Sequence, residues 1–225
     1  MESRPLIIGA GIAGLIAAHE LEEKGLNPLI LEAANQPGGR IRTDESNGFL
    51  LDRGFQVLPT AYEEVGRYLD QEALDLCHFE PGALIFTGER NMRISDPLRQ
   101  PGQLFSAAFS PVGSPKDKWL LWKLTRRLKK LSPAECFQHR EERTLDFLKT
   151  FGFSHRIIEH FFRPFFAGIF LEDELDTSAR MFRFVFKMFG EGVAAVPAKG
   201  MEEIPRHLRG KLERTEILYD QRVAR

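Results

Sequence analysis

The chain has 225 residues, 43% hydrophobic and 28% charged, a composition suited to one or two packed globular domains. A formal net charge of −1 exerts no overall pull towards nucleic acid. Two cysteines, Cys77 and Cys136, are too few for a disulfide framework and lack metal-ligand spacing, so a reducing, cytoplasmic setting is expected, with both thiols as small buried groups.

Leu6-Ile7-Ile8 is a short continuous apolar run of the kind a buried parallel strand shows. Gly9, Gly11 and Gly14 follow it as G-x-G-x-x-G, the spacing that serves a tight turn, a pyrophosphate brought close to backbone, and a helix packed against the strand. The segment Pro5 to Ala18 also has the length of a secretory leader, but its three spaced glycines and the strand that follows set that reading aside. A helix is predicted over Ile12 to Lys24, with Ala13 and Ala17 where bulk would clash, Leu15 and Leu21 to bury, and Gly25 to stop it. Its N-terminus offers unpaired N–H groups and the positive end of the dipole to a diphosphate.

Pro28 to Leu31 reads as a second strand, and Glu32 ends it, 18 residues past Gly14, followed by Ala33. A carboxylate there accepts hydrogen bonds from an adenosine ribose and repels a 2′-phosphate, which disfavours NADP. Gln36-Pro37-Gly38-Gly39-Arg40, with Thr43 beyond, then places two more glycines and a cation where they can wrap the phosphates of an extended dinucleotide. FAD is favoured on that ground, with NAD as the alternative. A hairpin over Ile41 to Val57, turning at Asn47-Gly48, carries the chain back to Asp52-Arg53-Gly54-Phe55-Gln56.

From Gln103 to Leu212 the pattern is mainly helical, with candidates at Pro115–Leu131, Thr144–Phe151, Ser154–Phe162, Ser178–Gly190 and Met201–Leu212, interrupted at Pro164 and Pro197. Twelve phenylalanines fall between Phe147 and Phe189. They suit a helical core, and part of the set suits the lining of a channel for a large apolar substrate. Residues 116–131 form a basic amphipathic stretch with Leu121, Leu124, Leu128 and Leu131 on one face; it fits ordinary packing, the favoured reading, and also peripheral contact with a membrane. His155 and His160 are not spaced as i,i+4 ligands, and no metal site is indicated. No nucleic-acid partner is expected, since no second basic cluster supports one. A last strand is predicted near Ile217–Val223.

Taken together, IIGAGIAGLIAAHELEEKG, LILEAANQPGGRIRT and LDRGF resemble the FAD-dependent amine oxidase superfamily. GALIFTGERNMRISDPLRQP, FFRPFFAGIFLEDELDTSARMFRFVF and VPAKGMEEIP are most similar to its phytoene desaturase and protoporphyrinogen oxidase branch. The resemblance implies an α/β fold: a Rossmann-like FAD-binding domain (residues 1–60 and 195–225) interrupted by a mainly helical substrate domain (61–194), and truncated at the C-terminus. It implies that Gly9, Gly11, Ile12, Ala13 and Gly14 meet the pyrophosphate, that Glu32 and Ala33 lie at the ribose, and that Gly38, Gly39, Arg40 and Thr43 flank the phosphates. Gly54, Phe55 and Gln56 would approach the isoalloxazine and Val223 the adenine; the role of Arg53 is left open. The implied activity is removal of a hydride equivalent from a large apolar substrate, a polyene or tetrapyrrole-like molecule. Alternatives are oxidation of amines, or a non-catalytic binding module or half of a split enzyme associating through its C-terminal edge. No catalytic acid or base is nominated. Alone, the 225-residue chain is expected to hold FAD weakly and turn over little.

Overall fold

The computed structural model describes residues 4–54, 56–80, 82–86, 91–95 and 113–224. It divides into two compact units, one drawn from residues 1–79 and 194–225, the other from 80–193. The first unit extends past the boundary expected at residue 60. Tyr62, Val65, Tyr68, Leu69, Leu74 and Leu76 supply the apolar contacts that hold this extra stretch to its core.

In the first unit β1 (Leu6–Ile8), α1 (Ile12–Glu23) and β2 (Leu29–Leu31) form the expected βαβ unit. β1 and β2 pair in parallel, Ile7 opposite Ile30, and a strand from the far end of the chain, β10 (Glu216–Leu218), pairs in parallel with the other edge of β2, giving the order β1-β2-β10. Strand alternation places Ile7, Ile30 and Ile217 in the core, while Leu6, Ile8 and Leu218 point the other way and are exposed. α1 ends as Gly25 predicts: Gly25 adopts φ +78°, its N–H reaches Glu22 O and the Leu26 N–H reaches Leu21 O, a Schellman closure. The helix buries Leu15 and Ala18, whereas Ala13 and Ala17 are exposed. The small residues the packing requires are therefore Gly14 and Ala18, one turn apart, and the Ala13–Ala17 pair sits on the neighbouring face.

The hairpin β3 (Thr43–Ser46) and β4 (Phe49–Asp52) turns at Asn47 and Gly48, both with positive φ, as an Asn-Gly turn requires. A second, antiparallel sheet orders β5 (Leu58–Pro59), β9 (Ala194–Pro197) and β6 (Leu76–His78) as β5-β9-β6, with the short helix α2 (Glu63–Tyr68) between β5 and β6 in sequence. Pro197, expected to break a helix, instead ends β9. On β6 alternation turns Leu76 towards the core and leaves Cys77 exposed, so only Cys136 is the buried thiol expected of both, its pKa raised by burial. α9 (Glu203–Gly210) packs on α1, where His19 Nε2 donates to Leu208 O at 2.8 Å. β10 is shorter than the strand expected over Ile217–Val223, because Asp220 takes φ +56° and turns the chain away.

The second unit holds a hairpin, β7 (Gly82–Phe86) and β8 (Asn91–Ser95), followed by helices. α3 (Pro115–Leu128) starts with a capping box in which Ser114 and Asp117 satisfy each other's backbone N–H. α4 (Pro133–Cys136) starts the same way through Ser132 and Glu135. α3 buries Leu120, Leu124 and Leu128, while Leu121 and Leu131 are only partly covered, so its inward face is rotated from the one predicted. α5 (Thr144–Phe151) closes on Gly152 at φ +103°. α6 (His155–Ile157) runs through a π-helical turn, Ile158–Phe162, into α7 (Arg163–Phe170). Pro164 thus does not stop the helix: it occupies the first turn after the π segment, where no N–H is required of it. α8 (Ala179–Glu191) completes the unit.

Phe147, Phe153, Phe162, Phe166 and Phe182 are buried in one core; Phe151, Phe161, Phe165, Phe170, Phe184, Phe186 and Phe189 pack around it partly covered. Phe162 is fully buried, with ring centroids of Phe153 at 4.9 Å, Phe161 at 5.1 Å and Phe182 at 5.9 Å. α8 also buries two cations, each with an acid: Arg183 with Glu142, its guanidinium over the Phe147 ring, and Lys187 with Glu191. Among the described residues no helix is long and apolar enough to cross a membrane, and no cluster of His, Cys, Asp and Glu could hold a metal ion.

Candidate functional site

The loop after β1 is shaped by one hydrogen bond and one left-handed residue. Gly9 donates to Leu31 O at 2.8 Å and takes φ +94°, which turns the chain sharply into α1. Gly11 is the N-cap, and no side chain caps the helix. A Cβ built on Gly11 would meet nothing within 4 Å, so the space beside the uncapped start of the helix is open at that position. Gly14 is the opposite case: its Cβ would stand 2.0 Å from the Gly9 carbonyl oxygen. One glycine leaves room for a ligand and the other lets helix meet loop.

Glu32 is buried at the end of β2 and does more than the sequence suggests. Its Oε2 accepts from the Ala10 N–H at 2.6 Å and its Oε1 from the Ala34 N–H at 2.8 Å. The carboxylate thereby ties the glycine loop to the strand end, and each oxygen keeps lone-pair capacity for a further donor such as a ribose hydroxyl. Ala33 beside it is exposed. After β10 the Gln221 N–H donates to Glu32 O at 2.8 Å, which brings the C-terminal segment alongside; Val223 lies just beyond, 45% exposed.

The second glycine loop lies on the first. Gly38 donates to Ala10 O at 2.9 Å, Gly38 and Gly39 both have positive φ, and a Cβ on Gly39 would be 3.5 Å from the Gly11 Cα. Arg40 is exposed and makes no ion pair among the described residues, which leaves its guanidinium available to an anion beside the open N-terminus of α1. The Gln56 side chain donates to Arg40 O at 3.3 Å and to Arg53 O at 2.8 Å, which returns Gln56 to the same loop, while Phe55 lies outside the described residues. Arg53, whose role the sequence leaves open, makes a two-pronged pair with Asp44 across the β3–β4 hairpin. That hydrogen bonding holds the Asp44 carboxyl below its usual range.

Thr43 connects this loop to a residue the sequence reading passed over. Its hydroxyl donates to Asp52 Oδ1 and accepts from the Glu202 N–H at 3.0 Å, while its own N–H donates to Glu202 Oε2 at 3.0 Å. Glu202, 2% exposed, also accepts from Gln36 Nε2 at 2.7 Å and pairs with Arg206 at 2.8 Å. Asp52 Oδ1 accepts from the Met201 N–H at 2.9 Å. A Cβ on Gly200 would be 2.4 Å from Thr43 Cγ2, so the contact leaves no slack. The loop from Gln36 to Thr43 is therefore clamped at both ends by one buried carboxylate. The one signal available beforehand was an acid just after Gly200-Met201 and before a helix.

Glu202→Ala is expected to release this clamp and take from the partly buried Thr43 N–H its hydrogen bond to an ionised group, at a cost of about 1.5–3 kcal/mol. For a unit of this size that lowers Tm by roughly 6–20 °C. Glu202→Gln should recover only part of it, since its amide presents donors to donors. Thermal melts check this, and coincident melts for Glu202→Ala and the parent would refute the clamp.

An uncapped helix terminus over open space, a buried carboxylate beside it and an unpaired arginine fit the phosphates and ribose of a dinucleotide. The comparisons point the same way. The profile of the family described as flavin containing amine oxidoreductase matches residues 12–225. Over 171 residues the chain is 29% identical to protoporphyrinogen oxidase 2, chloroplastic/mitochondrial, of Arabidopsis thaliana, covering 73% of this chain and 32% of that protein. Over 104 residues it is 33% identical to an L-amino-acid oxidase of Sistrurus catenatus edwardsii, covering 45% of this chain and 20% of that one. Among solved structures, an oxidoreductase from Methanosarcina mazei matches with a TM-score of 0.67 at 19% identity, over 97% of this chain and 51% of that one, a likeness of fold. The chain spans about a third or less of the length of these curated relatives and about half of the solved chain.

Proposed function

The chain belongs to the flavin-containing amine oxidoreductase family, and from that premise we propose that it holds the adenosine and pyrophosphate portions of FAD in an enzyme that oxidises a large apolar substrate. The observation that carries this reading is the open, uncapped N-terminus of α1 flanked by Glu32 and Arg40. On this reading the N–H groups of Ile12, Ala13 and Gly14 receive the phosphates, with Gly9, Gly11, Gly38 and Gly39 keeping side chains out of the way. Arg40 adds a charge-assisted contact, Glu32 accepts from the ribose, and Thr43 and Glu202 keep the second glycine loop in place. Gly54, Phe55 and Gln56 border the ring end and Val223 the adenine. When bound, FAD supplies the hydride-accepting chemistry, and the protein supplies position and exclusion of water. In this proposal the first unit, residues 1–79 and 194–225, is the cofactor-binding domain, and the second, 80–193, the substrate domain.

Substrate choice rests on the second unit. Its partly covered phenylalanines offer an apolar surface to a polyene or tetrapyrrole-like molecule, and the Arabidopsis relative carries protoporphyrinogen in its name. The likeness to an L-amino-acid oxidase supports the second reading, an amine substrate.

Titrating the protein with FAD, NAD and NADP should give saturable binding for FAD, with NADP the weakest. Glu32→Ala should lower FAD affinity about 10–100-fold, the equivalent of one hydrogen bond to an ionised group. Anaerobic bleaching of the flavin-loaded protein, slow in this chain alone, is expected with carotenoid precursors and porphyrinogens and not with small amines or amino acids. Preference for NADP would overturn the cofactor, and bleaching by amines alone would overturn the substrate.

A further inference from the structure

The outward face of α3 is a chemically uniform surface that the cofactor reading does not use. Its buried side is Asp117, Leu120, Leu124 and Leu128. On the helical repeat the opposite side carries Trp119, Trp122, Arg126, Lys129 and Lys130, with Lys116, Lys123 and Arg127 on its flank. Trp119 is 54% exposed and Trp122 44%, large apolar rings left in water. Each lies under a cation of its own helix, Lys123 Nζ 5.1 Å from the Trp119 ring and the Arg126 guanidinium 5.3 Å from that of Trp122.

Charge on this face has one sign. The single acid of the helix, Asp117, is 1% exposed and satisfied by four donors, the N–H and hydroxyl of Ser114 and of Ser154. Lys116, Lys123, Arg126, Arg127, Lys129 and Lys130 are exposed and make no ion pair among the described residues. Structural packing accounts for the leucines but calls for neither two exposed tryptophans nor six exposed cations, without ion pairs among the described residues, on the opposite side and its flank. The helix is too short and polar to cross a bilayer. It has the layout of one lying in the plane of an interface, where indole rings sit at headgroup depth and cations reach lipid phosphates.

We propose that this face of α3 docks on an anionic lipid surface, with Trp119 and Trp122 entering the headgroup layer and the surrounding lysines and arginines binding lipid phosphate. A nucleic acid would also satisfy the charge, but the chain carries net −1 and one face of each indole is already occupied by its own cation. The proposal is independent of the cofactor assignment.

The test exploits a property of the sequence: the chain has only two tryptophans, both on this helix, so its tryptophan emission reports on this face alone. The full chain is mixed with vesicles of phosphatidylglycerol and phosphatidylcholine, or of phosphatidylcholine alone, and followed by sedimentation and fluorescence. Co-sedimentation and a blue shift are expected with the anionic vesicles only, both reversed by high salt. Lys129→Gln and Lys130→Gln should each weaken binding about fivefold. Trp119→Phe should leave a smaller shift from Trp122. Since all these positions are exposed, thermal melts should match the parent, separating lost docking from lost fold. Absence of co-sedimentation, equal affinity for neutral vesicles, or tighter binding to a DNA duplex than to anionic vesicles would overturn the proposal.

Discussion

Replacing Gly14 by alanine is expected to destabilise the first unit by about 3 kcal/mol or more, although alanine is the better helix former by about 1 kcal/mol. Gly14 has ordinary helical dihedrals, so the reason is space. The new methyl would stand 2.0 Å from the Gly9 carbonyl oxygen and 3.4 Å from Ile7 Cγ2, and neither the turn nor the strand can move without breaking the Gly9–Leu31 hydrogen bond. Tm should fall by more than about 12 °C, and FAD affinity should drop with it. Gly11→Ala separates the two effects. It meets nothing within 4 Å, so the fold should keep its Tm to within a few degrees. Its methyl nonetheless enters the space in front of the helix N–H groups, and FAD should bind at least about tenfold more weakly. Equal melts for Gly14→Ala and the parent would remove the packing argument. Unchanged FAD affinity in Gly11→Ala would move the phosphates elsewhere.

Phe162→Ala is expected to cost about 3–5 kcal/mol, the range for deleting a fully buried ring. Phe162 is 0% exposed and touches rings from α7 and α8 as well as its own π turn, with centroids of Phe166 at 6.5 Å and Phe186 at 6.3 Å. The cavity cannot collapse easily, because those rings are held by each other. Phe161→Ala, on a partly covered neighbour, should cost about half as much. Urea denaturation measures both. A loss for Phe162→Ala no larger than that for Phe161→Ala would mean the π turn relaxes to fill the void.

What could be read beforehand divides by the range of the interactions. α1, the hairpin and α5 announce themselves through neighbours in sequence: a glycine at φ +78° after α1, Asn47-Gly48 between two strands, Gly152 at the end of α5. The capping boxes at Ser114 and Ser132 are local too. Glycine spacing and Glu32 could be placed at one candidate site beforehand because a βαβ crossover fixes their separation. Glu202 escaped because its partners Thr43 and Gln36 lie more than 150 residues away, and no local pattern shows that an acid at the start of a helix is buried. Pro164 misled for the opposite reason: a proline rule is local, and the π turn that accommodates it belongs to the packing of Ile158 and Phe162 in the core. β5 and β6 are two and three residues long and exist only through pairing with β9.

The pairing of β2 with β10 sets a timetable for the growing chain. Leu29–Leu31 must wait for Glu216–Leu218, separated by about 190 residues, before the far edge of the central strand is closed. At translation rates of about 5–20 residues per second that is a delay of ~10–40 s. The other unit, residues 80–193, has its partners within one continuous stretch and can condense during the delay. β1, α1 and β2 are thus made before the second unit yet completed after it, and until β10 emerges the far edge of β2 stays unpaired.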